Sequence, residues 1–281
     1  MSVRAIFALI RPRFMMPTKK SFRLARAAAG AALAALVLTV VPHHIASRDA
    51  HAVYAGELER QEALGHGVER WVARDLARGD FTTGSSRFDG EWLFGTYMMA
   101  AMGFGQLALQ HPEAPELRAR NAALMETCID RLVTSRAREF DREAWGDDPL
   151  DGLASNRGHA AYLGYLNLAL GLHVRVDPKS RFRPLHDAIT AALVRRIERS
   201  PTLLLETYPG EGYPVDNSAA IGSIGLHAST RGEPVPDVVR AWSARMRSTA
   251  LDPSTGLLVQ AVDPETGHAR DRARGSGSAL A

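Results

Sequence analysis

The feature of this sequence that most restricts its fold is an alternation between two kinds of predicted helix. Helices of the first kind are apolar on almost every side and rich in small residues, and they are predicted at 91–110, 159–173 and 217–229. An amphipathic helix follows each of them, at 116–133, 182–199 and 235–246. Because a helix that is apolar all round must be buried by neighbours on every side, the alternation predicts an all-α fold with an inner and an outer layer.

Two concentric layers of helices are typical of an α/α toroid rather than of a simple bundle. The inner helices begin near residues 91, 159 and 217, so one inner–outer pair takes roughly 60 residues. A closed ring of six pairs at that spacing needs on the order of 350 residues, and residues 274–281 resemble the opening of a fourth inner helix. The sequence therefore predicts an (α/α)6-toroid type of domain over residues 53–281 that is truncated at its C-terminus.

Residues 1–52 predict a targeting segment rather than part of this fold. Basic residues between Lys19 and Arg26 precede an uncharged run at 27–41, and Ala50-His51-Ala52 has the small-x-small form that signal peptidase cuts. The run is shorter than the ~20 residues of a spanning helix, which favours a signal peptide over a short uncleaved anchor. Either segment predicts an exported protein, periplasmic or secreted, that meets the membrane only here.

Charge and cysteine usage exclude several classes of function. The net charge of +3 comes from the N-terminal segment, because residues 53–281 contain 26 basic and 30 acidic residues. No clustered basic face is present, and we therefore predict no nucleic-acid partner. The single Cys128 lies in an amphipathic helix and predicts a buried structural thiol. Neither a metal-ligand spacing nor a phosphate-binding glycine loop occurs, so we predict no metal and no cofactor.

The residues best suited to chemistry lie in the loops that precede the inner helices. Because inner helices of a toroid run parallel, these loops are expected to meet at one end of a central cavity that binds a small molecule. The candidate catalytic residues are His159, Asp216 and Glu211, and the candidate substrate-binding residues are Tyr208, Tyr213, Trp145, Asp147, Asp89, Trp92 and Asn217. The structural alternatives are helix capping for Asp89 and Asp216, a turn for Asp147, and a core histidine for His159.

The order of these motifs resembles the linalool dehydratase/isomerase family. The resemblance covers roughly residues 140–275 and is carried by Trp145-Gly146-Asp147, Gly158-His159, Asp216-Asn217-Ser218 and Asp263-Pro264-Glu265-Thr266-Gly267. It implies an exported bacterial protein with an (α/α)6 barrel, usually a homo-oligomer, that dehydrates and isomerises a tertiary monoterpene alcohol without a cofactor. The family's histidine matches His159, whereas Thr207 and Asp216 stand where its enzymes carry two cysteines.

With a threonine and a carboxylate in place of the two cysteines, the loops predict acid–base lyase or isomerase chemistry on a small, terpenoid-like alcohol. In this hypothesis Asp216 is the base or charge stabiliser, Glu211 or His159 is the acid, and the tyrosines Tyr208 and Tyr213 orient the hydroxyl or stabilise positive charge. One alternative is a carbohydrate-active toroid enzyme (a glycosidase, lyase or epimerase) that uses paired carboxylates. The other is an inactive truncated copy or a binding module, whose open apolar edge favours self-association.

Overall fold

The computed structural model describes residues 19–280, and over this range the protein is all-helical, as predicted. Strands are absent from the described residues, where β-structure is limited to isolated bridges. The α-helices of this range are α1 (Lys19–Tyr54), α2 (Leu58–Val72), α3 (Ser86–Gln110), α4 (Pro115–Leu132), α5 (Glu139–Trp145), α6 (Ala160–Val176), α7 (Arg183–Arg199), α8 (Pro214–Arg231), α9 (Asp237–Thr249) and α10 (Gly275–Leu280).

The chain divides into two compact units between Arg60 and Gln61. The described part of the first unit is α1 and the first residues of α2, and α1 continues through Pro42 with its large apolar side chains exposed. Between Arg23 and Tyr54 this helix is long and apolar enough to cross a membrane, a test that a signal sequence also passes. The helix is longer than the uncharged run at 27–41. The shortness of that run therefore no longer favours a signal peptide over an uncleaved anchor. Residues 1–18 of the predicted targeting segment lie outside the described residues.

In the second unit the three apolar helices pack side by side, with α6 between α3 and α8. The amphipathic helices cover them: α4 packs on α3 and α6, α7 packs on α6 and α8, and α9 packs on α8 and α7. The predicted order of apolar and amphipathic helices is therefore confirmed. A short helix also begins at Gly275, where the sequence suggested one, and it packs against α8.

Small residues set the distance between the apolar helices. A Cβ atom added at Gly164 of α6 would lie 2.9 Å from the backbone nitrogen of Ala220 on α8. One added at Gly105 of α3 would lie 2.4 Å from Cδ2 of Leu172 on α6. The Cβ atoms of real residues essentially never lie this close to another atom. The helices can therefore approach this closely only because glycine stands at these two positions.

The loops that precede α6 and α8 are locked to each other. The amide of Ala160 donates to the carbonyl oxygen of Glu206 at 3.2 Å, and a Cβ at Gly158 would lie 2.0 Å from that same oxygen. Arg196 of α7 is buried, and its guanidinium donates to four carbonyl oxygens of the first loop, those of Gly152, Leu153, Ser155 and Gly158. Arg196 therefore holds the first loop on α7, and the hydrogen bond from Ala160 to Glu206 holds it against the second loop, which forms one wall of the cavity described next.

Candidate active site

A cavity of about 720 Å³ lies among α3, α6 and the loop that leads into α8. Its apolar wall includes Phe94, Met98, Met99, Phe140 and Val215. Its titratable side chains are Arg87, Glu91, Tyr165, Tyr208, Glu211, Tyr213 and Asp216. The loops before α3 and α8 both contribute, whereas the loop before α6 does not line the cavity, so two of the three predicted loops meet there.

Asp216 lies in the first turn of α8, and its side chain is held by two hydroxyl groups. The Thr207 hydroxyl donates to Asp216 Oδ2 at 2.9 Å, and the Tyr165 hydroxyl of α6 forms a second hydrogen bond. Burial raises the pKa of Asp216 to about 6, and the nearby charge of Glu91 adds to the rise. The two hydrogen bonds lower this pKa, but by less than burial raises it. A carboxyl group that titrates this close to neutral pH is suited to act as a general base.

Glu91 lies in α3 and accepts a hydrogen bond from the Tyr208 hydroxyl. Burial raises the pKa of Glu91, although the Tyr208 hydrogen bond and the positive charge of Arg87 lower it in part. The Arg87 guanidinium lies over the Tyr208 ring, 4.8 Å from the ring centroid. Burial and the charge of Glu91 also raise the pKa of Tyr208 above its usual range. Tyr208 therefore stays protonated at neutral pH and donates.

A third carboxyl–phenol pair completes the polar wall. The Tyr213 hydroxyl donates to Glu211 Oε2 at 2.7 Å, and burial together with Glu211 raises the pKa of Tyr213 to about 12. The main chain of Glu211 is fixed as well, because its carbonyl oxygen accepts from the Thr207 amide at 2.7 Å. Glu91, Glu211 and Asp216 thus each share the cavity with a phenol that remains a hydrogen-bond donor.

His159 lies behind this cavity rather than in its wall. The side chain is fully buried, and its Nδ1 lies 2.5 Å from Oδ2 of Asp141, a residue of α5 that is also fully buried. Its ring packs on Trp145 with centroids 4.7 Å apart. We therefore correct the prediction that His159 faces the substrate as an acid. Its neighbour Asp147 binds Arg157 at 2.7 Å and likewise stays outside the cavity.

The other predicted substrate-binding residues have structural contacts. Trp145 donates through Nε1 to the carbonyl oxygen of Thr207 at 3.2 Å. Asp89 accepts from the amide and hydroxyl of Thr83, and Asn217 is buried and bonds both main-chain polar groups of Leu205. The side chain of Trp92 is 60% exposed outside the cavity. Of the ten predicted site residues, Asp216, Glu211, Tyr208 and Tyr213 line the cavity.

Sequence reasoning missed Glu91, Tyr165 and Arg87 as cavity residues. Glu91 and Tyr165 each lie in a helix that is otherwise almost entirely apolar, and a polar group in such a helix must find a buried partner. That contrast is the signal that could have found them. The sequence marks Thr207 only as a position aligned with a family cysteine, and it proves to be a direct partner of Asp216.

Two further findings bear on chemistry. Within residues 19–280 no group of three or more His, Cys, Asp or Glu side chains is arranged to hold a metal ion. Cys128 is buried, as predicted, and burial raises its pKa to about 12, which keeps it a thiol. No family model matches this sequence.

Proposed function

We propose that this cavity carries out cofactor-free dehydration or isomerisation of a small, largely apolar alcohol. One observation carries the proposal: Asp216, with a pKa of about 6, shares a cavity with Glu91, whose pKa is also raised. The remaining wall is mostly apolar, and the volume lies within the range of ordinary small-molecule sites. Two carboxyl groups in such surroundings are suited to opposite roles in proton transfer.

The proposed reaction needs one acid and one base. The step requires Glu91 in its protonated form: its proton passes to the hydroxyl oxygen of the alcohol, and the C–O bond breaks to release water. Ionised Asp216 takes a proton from the neighbouring carbon, and that C–H electron pair forms the double bond. Asp216 then returns its proton to solvent, and Glu91 takes one up. Electron-rich faces of Tyr208 and Tyr213 stabilise positive charge that develops on carbon.

We further propose that the protein is an α/α toroid of the linalool dehydratase/isomerase type. Support comes from the packing order, in which α4 and α7 each contact two successive apolar helices. It also comes from Thr207 and Asp216, the positions aligned with the family's cysteines. Their side chains are hydrogen bonded to each other, and both line the cavity.

The placement of the aromatic rings favours an alcohol over a carbohydrate as substrate. Sugar rings stack on open aromatic faces, and the candidates for such platforms in this sequence are Trp92, Trp145, Tyr208 and Tyr213. Trp92 lies outside the cavity, and Trp145 is packed against His159. One face of Tyr208 is covered by Arg87. We therefore do not propose carbohydrate chemistry.

The test is turnover of a panel of tertiary and allylic alcohols, linalool included, by the full chain. Gas chromatography would detect the alkene or the isomerised alcohol. We expect Asp216→Asn and Glu91→Gln to lower turnover by about 100-fold or more, since each removes a proton-transfer group. Asp151→Asn changes an exposed carboxylate outside the cavity and should leave turnover intact. Full activity in Asp216→Asn would overturn the assignment.

We also propose that α1 directs export, as a signal peptide or as an anchor. Its basic start at Lys19 and Lys20, its apolar middle and its length support this role. N-terminal sequencing of the chain recovered from cells distinguishes the two forms, because cleavage after Ala52 leaves Val53 as the first residue.

A further inference from the structure

A cluster of buried polar groups lies directly behind the wall of the cavity. Its centre is the pair of His159 and Asp141, which are both fully buried. Burying an ionisable pair is costly, and His159 also has a φ of +50°, a conformation that side-chain-bearing residues rarely adopt. Such costs tend to collect where a structure must hold a functional group in place.

Trp145 connects this cluster to the cavity. One side of its ring packs on the His159 imidazole at a centroid distance of 4.7 Å, and its Nε1 donates to the Thr207 carbonyl oxygen at 3.2 Å. The Thr207 hydroxyl in turn donates to Asp216 Oδ2 at 2.9 Å. Three successive contacts therefore run from the buried pair to a carboxylate of the cavity.

Thr207 is held at each of its polar groups. Its amide donates to the Glu211 carbonyl oxygen at 2.7 Å, its carbonyl oxygen accepts from Trp145, and its hydroxyl donates to Asp216. The preceding residue, Glu206, is fixed through its own carbonyl oxygen by the amide of Ala160. The contact from Trp145 comes from α5, and it can be removed without altering the loop sequence or Asp216.

We propose that Trp145 is a positioning residue of the cavity: packed on His159, its indole N–H fixes the Thr207 main chain so that the Thr207 hydroxyl stays directed at Asp216. This inference deepens the proposed function and rests on it only for the catalytic use of Asp216. The residue itself does not touch the space that a substrate would fill.

The measurable consequence is a change in how Asp216 titrates. A hydrogen bond to a carboxylate favours its ionised form, so a less well directed Thr207 hydroxyl raises the pKa of Asp216. The other groups that face Asp216 are Glu91 on α3, Tyr165 on α6, and Tyr208 and Tyr213 of the loop that leads into α8. The groups around His159 are Asp141, Asp147 and, facing these two aspartates, Arg196 of α7. Changing Trp145 to Phe removes none of them.

The experiment is a carbon-13 NMR titration of the full chain, labelled at the aspartate carboxyl carbon. The signal that Asp216→Asn abolishes identifies Asp216. Trp145→Phe keeps an aromatic ring at this position and removes the indole N–H together with the second ring, whereas Thr207→Val removes the hydroxyl itself. We expect Thr207→Val to raise the Asp216 pKa, and Trp145→Phe to raise it by at least half as much.

The matched control is Tyr162→Phe. It too removes one buried side-chain donor to a main-chain oxygen, that of Leu132 at 2.9 Å, but it does so away from Thr207. We expect this variant to leave the Asp216 pKa unchanged.

Three results would overturn the proposal: an unshifted Asp216 in Trp145→Phe, an equal shift in Tyr162→Phe, or no shift in Thr207→Val. The titration needs no substrate. Its failure is therefore distinguishable from failure of the proposed reaction, which turnover alone tests.

Discussion

Asp216 occupies the first turn of α8, where a helix dipole stabilises negative charge. Burial nevertheless raises its pKa from 3.8 to about 6, so the native protein binds this proton more tightly than the unfolded chain does. Between those two values the unfolded chain carries fewer protons, and stability therefore falls as pH rises. Above about pH 6 the folded protein bears the whole cost of ionised Asp216.

Removing this charge should stabilise the protein at alkaline pH. We expect Asp216→Asn to raise the free energy of unfolding by about 3 kcal/mol at pH 8, because the pKa rise from 3.8 to about 6 converts at roughly 1.36 kcal/mol for each pKa unit. At about pH 4 the gain should vanish, because Asp216 is then protonated in the native state. Urea denaturation at both pH values measures this difference, with Asp151→Asn as the control. An equal effect at the two pH values would contradict the assignment.

The sequence predicted which residues of the loop before α8 line the cavity, but it did not predict which residue of α3 does so. Tyr208, Glu211 and Tyr213 all line the cavity. Their loop is short and dense in polar and aromatic residues, so most of its side chains must lie on the side that faces the cavity. The sequence pointed to Trp92 where Glu91 is the cavity residue. Consecutive residues of a helix point about 100° apart, so only one of Glu91 and Trp92 can face the cavity. Because α3 is apolar on nearly every side, its hydrophobic pattern does not show which of the two it is.

Between elements, one close approach that bears on the site is that of α6 to α8. A Cβ atom added at Gly164 would meet three backbone atoms of α8, at 2.9 Å from the Ala220 nitrogen and 3.2 Å from both the Ala220 Cα and the Asp216 carbonyl oxygen. Since these neighbouring atoms are main chain, they cannot move aside as a flexible side chain would. The separation of the two helices therefore depends on the absence of a side chain at residue 164.

Gly164→Ala should destabilise the protein by about 1–3 kcal/mol, the usual cost of overpacking. The matched change is Gly222→Ala in α8, where the nearest atom to a new Cβ is Leu168 Cδ2 at 3.7 Å. That variant should be neutral or more stable by up to about 1 kcal/mol, since alanine favours helix. Thermal unfolding of both variants tests the contrast. If both behave alike, the close approach of α6 and α8 is not real.

The order of the elements was predictable because each helix carries its own hydrophobic pattern. Boundaries and connections were less so: α3 begins at Ser86 rather than near Glu91, and α5 was not foreseen. α5 is only 7 residues long, too short for a helical period to show in the sequence. It nevertheless supplies both Asp141 and Trp145, so the contacts behind the cavity could not be inferred.

For the second unit as a whole, a buried polar network between α6, α7 and α8 should set part of the loss of stability at acidic pH. His186 of α7 is buried, and its Nδ1 lies 2.8 Å from Oδ1 of Asn167, which also donates to Thr190 and Ser223. Burial, with a smaller effect of His227, lowers the pKa of His186 from 6.5 to about 4. Below about pH 6.5 the unfolded chain therefore binds more protons, and stability is lost as pH falls towards 4.

Replacing this histidine should make the protein less sensitive to acid. Between about pH 7 and pH 4, we expect the wild type to lose about 3 kcal/mol more unfolding free energy than His186→Gln loses. The opposite contribution of Asp216 is common to both proteins and cancels. Denaturant titrations across this range supply the slopes, and exposed His268→Gln serves as the control. Parallel curves for wild type and His186→Gln would rule out this role.

The contact between Tyr208 and Glu91 joins residues that are 117 positions apart in the chain. A ribosome adds about 5–20 residues each second, so roughly 6–23 s pass between synthesis of the two partners. Throughout that interval the loop before α8 does not yet exist, so it cannot cover Glu91 or the apolar side chains beside it, Phe94 and Met98. The cavity is accordingly completed late in synthesis, and until then its unfinished wall exposes apolar side chains to aggregation or to capture by a chaperone.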